Sequence, residues 1–154
     1  MSLETLAVRT AEPAAAGAMS LEEYGRLLNL LLECERAGAK LIAAYCDELP
    51  AESEFHARLS GVQRDEARNC AVLIHLLLEA GIEPTTQVGS FYRKGLGVRS
   101  WRERLRFLNR GQHWVADRIA AELPRMARLS GTKALQAMYD SHLANIGLCE
   151  EQLG

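Results

Sequence analysis

Gln63 to Cys70 reads QRDEARNC and stands in the middle of a long segment whose apolar residues recur at helical spacing. Stepping alternately three and four residues, the spacing of a bundle seam, picks out Phe55, Leu59, Val62, Glu66, Asn69, Leu73, Leu76 and Ala80. The inward face is apolar at both ends and broken at its centre by a carboxylate and, one turn on, a carboxamide. Burying a carboxylate without partners costs on the order of several kcal/mol, so Glu66 requires polar groups supplied by other segments.

Working outward, the same reading finds three more helical segments. The first opens at Ser20, where SLEE provides an N-cap with Glu three residues later, and runs to Leu49 before Pro50. The segment carrying Glu66 spans about Ser53 to Ala80, closed by Gly81 and then Pro84. SWRE at Ser100 repeats the cap spelling and begins a third segment, to about Leu123 before Pro124, and a fourth covers about Thr132 to Leu153. No stretch sustains the period-two alternation of strands, so the fold class is all-α.

Each of these segments carries a polar break near its midpoint. The first steps through Tyr24, Leu28, Leu31, Glu35, Gly38, Ile42, Tyr45 and Leu49; the third through Trp101, Leu105, Leu108, Gln112, Val115, Ile119 and Glu122; the fourth through Leu135, Met138, His142, Asn145, Cys149 and Gln152. Helices of similar length place their midpoints at one level of a bundle. Glu35, Glu66, Asn69, Gln112, His142 and Asn145 are therefore expected to converge.

The connections constrain how the helices pack. Short turns join the first segment to the second and the third to the fourth, which makes each pair an antiparallel hairpin. The link from Gly81 to Arg99 is long enough to cross from one end of a bundle to the other, and SFYRKGL within it suggests a short extra helix or aromatics laid on the bundle side. Residues 1–19 read as a flexible tail and residues 20–153 as a single domain.

Composition excludes several classes of function. The chain has 154 residues, 48% hydrophobic and 25% charged, enough for one domain with a real core. Its net charge of −2 offers no global field for nucleic acid or an anionic membrane. Glu4, Arg9 and Glu12 interrupt the N-terminal stretch before it reaches the length of a leader or membrane span. Cys34, Cys46, Cys70 and Cys149 are widely spaced and read as reduced thiols of a cytoplasmic protein. A basic run from Arg93 to Arg110, interleaved with Phe91, Tyr92, Trp101 and Phe107, has a ready acidic counterpart in Asp47, Glu48, Glu52 and Glu54. The apolar stripe at Trp114 and Val115 is a candidate homodimer contact. His56, His75 and His113 lie off the seam, and Ser141-His142 lacks a third partner.

The central pattern resembles the ferritin-like superfamily, whose di-iron members set one Glu on each of two helices and a Glu-x-x-His pair on each of the others. ERAGAK, QRDEARNC, GSFYRKGL, RLRFLNRGQHWV and SHLANIGLCE further resemble a bacterial ferritin-like domain family of unknown function, over roughly residues 20–153. The resemblance implies a four-helix bundle with one long crossover between helices two and three. By position, Glu35 matches the lone Glu of the first helix and Glu66 the Glu of the second-helix pair, with Asn69 where its His would stand. Gln112 takes the place of the third-helix Glu, and His142 with Asn145 that of the last pair.

These departures weaken the metal chemistry that the resemblance implies. Two carboxylates and one imidazole remain, and the neutral carbonyls of Asn and Gln cannot offset two divalent ions, which argues against a coupled di-iron centre. Two expectations follow. In one, Glu35, Glu66 and His142 hold a single divalent metal (iron, manganese or zinc), with Asn69, Gln112 and Asn145 as weak ligands or supporting groups. In the other, the centre is metal-free: Glu35 and Glu66 are protonated, or paired with Arg36, Arg68 or Arg110, and the domain is a non-catalytic interaction or assembly module.

Overall fold

Serine caps start three of the long helices, as their spelling requires. Ser20 Oγ accepts from the Glu23 N–H at 3.1 Å, Ser53 Oγ from the His56 N–H at 3.1 Å and Ser100 Oγ from the Glu103 N–H at 3.2 Å. The computed structural model describes residues 17–127 and 129–154, and among them it contains helices and turns but no strand. The helices are α1 (Leu21–Cys46), α2 (Glu54–Glu79), α3 (Phe91–Leu96), α4 (Trp101–Glu122) and α5 (Thr132–Leu153). A single 3-10 turn over Leu123–Met126 extends α4.

The stops have equally local causes. Gly81, at φ 72°, takes the left-handed conformation that ends α2, and the N–H groups of Gly81 and Ile82 bond back to the Leu78 and Leu77 carbonyls. Helix α1 ends at Cys46, earlier than the Leu49 expected, and a turn follows in which the Leu49 N–H bonds to the Cys46 carbonyl. Pro50 disfavours helical backbone at the residue before it, so the chain leaves the helix ahead of that point. Pro124 likewise converts the end of the third segment into 3-10 geometry. The first sixteen positions of the tail expected over residues 1–19 lie outside the described residues; Met19 is buried, and its N–H donates to the Arg125 carbonyl at 3.0 Å.

The four long helices form a closed ring of neighbours. Helix α1 packs on α2 and α4, α5 packs on α4 and α2, and the helices at opposite corners meet only through side chains that cross the interior. The Arg104–Glu48 ion pair, at 2.6 Å, sets the start of α4 beside the end of α1. The Arg125–Glu23 pair sets the end of α4 beside the start of α1, so the two run antiparallel.

Between α2 and α4 the link crosses the length of the bundle along α1. Asn29 Nδ2 donates to the Glu83 carbonyl, Arg36 to the Thr85 and Gln87 carbonyls, and Tyr45 Oη to the Gly95 carbonyl at 2.7 Å, in step with the advancing link. Both expectations for SFYRKGL hold: it forms α3, and Phe91 stacks on Phe107 with ring centroids 4.3 Å apart. Gly95 and Gly111 permit this seating, because a side chain at either would run into Leu41 and Phe107 or into Phe91.

Two apolar clusters fill the interior. One is built around Leu28, Leu31, Leu73, Leu77, Ile119 and Leu135, the other around Leu41, Ile42, Tyr45, Leu59, Val62 and Leu108. Positions 35 and 38 on α1, 66 and 69 on α2 and 112 on α4 fall between the two sets. The polar layer therefore separates two oily ends of one bundle.

Candidate functional site

All six expected positions are buried: Glu35, Glu66, Asn69, Gln112, His142 and Asn145. Helical periodicity puts them inward, and the ring of helices brings five of the six into a single chain of hydrogen bonds. Asn69 Nδ2 donates to Glu35 Oε2 at 3.2 Å; Glu35 Oε1 meets His142 Nε2 at 2.5 Å; His142 Nδ1 meets Gln112 Oε1; Gln112 Nε2 donates to Glu66 Oε1. Asn145 lies on the same face of α5, but among the described residues no side-chain bond ties it to the other five.

The direction of the bonds locates the protons. Gln112 gives its N–H to Glu66, so its carbonyl must accept, and His142 Nδ1 carries a proton as the donor. His142 Nε2 and Glu35 Oε1 are then two acceptors at hydrogen-bond distance, and a proton has to lie between them. Glu66 ends the chain with Oε2 buried and unpartnered. That oxygen occupies the space that a side chain on Gly38 would need.

Burial pushes the Glu66 carboxyl well above its ordinary value of 4.5, and the charge of Glu35 reinforces the shift. The Gln112 hydrogen bond acts against it and does not reverse it. Since Oε1 is accepting from Gln112, a protonated Glu66 carries its hydrogen on Oε2. The thiols nearby are equally suppressed: burial first, and then the charge of Glu35 for two of them, raises Cys34 to about 11 and Cys70 to about 12, while burial and Glu66 raise Cys149 to about 11. None is an activated nucleophile.

Among the described residues neither buried glutamate is paired with an arginine. Arg36 spends its guanidinium on the Thr85 and Gln87 carbonyls at 3.0 and 2.7 Å, Arg68 bonds Asp65 at 3.2 Å, and Arg110 lies over the Phe107 ring at 5.7 Å. These arginines sit beside the seam rather than on it, so the periodicity that buries the glutamates turns the cations outward. The basic run meets the acidic end of α1 through Arg104, which bonds Glu48 and lies over the Tyr45 and Trp101 rings at 4.6 and 4.8 Å. Trp114 is exposed and Val115 buried, which leaves only the tryptophan of that stripe for a contact with another molecule.

A cavity of about 340 Å³ reaches the polar layer from the side covered by α3. Its floor includes Glu35, Glu66, Gln112 and His142, its walls Phe91, Phe107 and Val115, and Lys94 and Arg110 stand at its exposed side. The seam reading had Gly38 among its apolar positions without a role. Its place one turn from Glu35, where a missing side chain leaves room for a neighbour's carboxylate, was the available signal. The cavity could not be read in the same way, because its outer wall comes from the link.

Among the described residues no three of His, Cys, Asp and Glu stand together as a metal ion would require. Of the three expected ligands Glu35 and His142 meet directly, and Gln112 lies between His142 and Glu66 in the bonded chain. No described helix is long and apolar enough to cross a membrane. No curated protein and no solved structure matches the chain. Residues 22–151 match the model of the family described as a domain of unknown function (DUF6306), and the chain belongs to that family.

Proposed function

We propose that this member of the family is a ferritin-like four-helix bundle in which the place of a di-metal centre is taken by a metal-free chain of hydrogen bonds, and that it serves as a non-catalytic interaction or assembly module. The ring of four long helices and the link that runs the length of α1 support the ferritin-like assignment. The observation that carries the functional reading is the bonded chain Asn69–Glu35–His142–Gln112–Glu66, in which both ring nitrogens of His142 already have partners. Such a chain fixes the register of four helices, since sliding any one by a turn leaves several buried groups unsatisfied.

Two observations favour a second reading, a single divalent ion of iron, manganese or zinc held by Glu35, Glu66 and His142. Glu66 Oε2 is a spare buried acceptor, and His142, donating from Nδ1 to Gln112, turns Nε2 inward as ligating histidines do. The arrangement described does not fit this ion, because His142 Nε2 and Glu35 Oε1, two of its three ligating atoms, already meet at 2.5 Å and would have to part to admit it. Elemental analysis of protein purified without a histidine tag and incubated with iron, manganese and zinc separates the two readings. Under our proposal neither the native chain nor Glu66→Ala retains metal near one equivalent. Stoichiometric metal in the native chain that vanishes in Glu66→Ala would replace it with the second reading.

The remaining expectations enter as parts of the same proposal. Four free thiols suit a reducing, cytoplasmic setting. A second copy of the chain would meet it through the exposed Trp114.

A further inference from the structure

The cavity beside the polar layer has three chemically distinct zones. Its floor includes Glu66, a residue only 4% exposed, whose Oε2 is buried and unpartnered. Its walls are apolar and partly aromatic, with the stacked Phe91 and Phe107 rings, Leu108 and Val115. At its mouth stand Lys94 and Arg110, both exposed, and among the described residues neither joins an ion pair. The volume falls at the lower end of small-molecule sites, which suits a compact ligand rather than a peptide or a nucleotide.

These zones also fix an orientation. A negative group cannot lie at the floor beside Glu35 and Glu66, but it is matched at the mouth by two cations free to make charge-assisted hydrogen bonds. A flat apolar body suits the aromatic walls. A hydroxyl at the inner end would give Glu66 Oε2 the partner that the chain does not supply.

We propose that this cavity is a binding site for a small aromatic organic anion, held with its anionic group between Lys94 and Arg110, its ring against Phe107 and Val115, and a hydrogen-bonding group directed to Glu66. The part of the basic run formed by Lys94 on α3 and Arg110 on α4 is thereby a recognition element rather than a solvated face. The site does not depend on metal at the polar layer, and binding is measured with a chelator present so that its outcome stands apart from the elemental analysis.

The test is titration of the full chain with benzoate, 4-hydroxybenzoate, phenyl phosphate and the neutral benzyl alcohol, followed by calorimetry and by amide chemical shifts. Saturable binding of the anions is expected, with 4-hydroxybenzoate about tenfold tighter than benzoate, as one additional buried hydrogen bond allows. Lys94→Ala/Arg110→Ala changes only exposed side chains and is expected to keep the fold. It is expected to weaken the anions about tenfold or more while leaving benzyl alcohol unchanged. Shifts confined to α3, α4 and the residues around Gly38 complete the expected result. Absence of saturable binding by all three anions, unchanged anion affinity in the double variant, or shifts mapping to the opposite face would each overturn the proposal.

Discussion

Glu66 is the residue on which most of the site's chemistry turns, because among the described residues it is the one carboxylate left with a free buried oxygen. Its raised pKa means that the folded state favours the protonated form. The resulting contribution is complete below the unfolded value of 4.5 and is lost as pH rises toward the folded value. Glu66→Gln imitates the protonated carboxyl and does not ionise. Denaturant melts are expected to show the variant equal to the native chain near pH 4 and then more stable by about 1.4 kcal/mol per pH unit until the folded pKa is passed. A constant difference across pH would show that the Glu66 pKa is the same in the folded and unfolded chain, and so is not raised by burial. His142→Leu strands both Glu35 and Gln112, and a loss of about 3 kcal/mol is expected. Replacing Glu35, Glu66, Asn69 and Gln112 by Met as well is expected to recover most of it, since the whole bonded chain is then removed and none of its members is left unsatisfied.

At the scale of elements, the informative piece is α3, six residues that could not hold a helix in isolation. Its stability comes from its seat: the Tyr45 hydroxyl bonds to the Gly95 carbonyl, Phe91 stacks on Phe107, and the bare Gly95 lets the turn lie against Leu41. Gly95→Ala puts a methyl into Leu41 and Phe107, and overpacking of this kind costs about 1–3 kcal/mol. Hydrogen exchange is expected to show the amides of 91–97 opening in this variant while those of α2 and α5 keep their protection. Loss of protection throughout would mean that α3 is part of the global folding unit. The long helices were legible in the sequence because caps and stops are local: Ser20, Ser53 and Ser100 at the starts, Gly81 and the prolines at the ends. The early end of α1 and the 3-10 turn after α4 were less so, since a proline bars the helix without saying how the chain departs from it.

For the whole molecule, the question is what the remaining exposed apolar surface meets. Leu143 and Trp114, on α5 and α4, are each more than two-fifths exposed, at 44% and 48%, and Trp114 also borders the cavity. If pairing uses Trp114, sedimentation velocity is expected to show a dimer that Trp114→Glu converts to monomer. A native chain that sediments as a monomer at all concentrations would remove that part of the proposal.

Period alone determined which residues face inward, and it assigned Glu35, Glu66, Asn69, Gln112, His142 and Asn145 to the buried seam, because a helix repeats its faces regardless of what packs on them. It could not determine which of these groups bond to one another. That was decided by the ring of helices, which put Gln112 between His142 and Glu66 and left Asn145 aside. The cavity belongs wholly to the tertiary structure, since its floor comes from four helices and its outer wall from a link whose course is set by contacts with α1. QRDEARNC specifies that a carboxylate is buried; only the folded bundle shows that one of its oxygens is left without a partner, over Gly38.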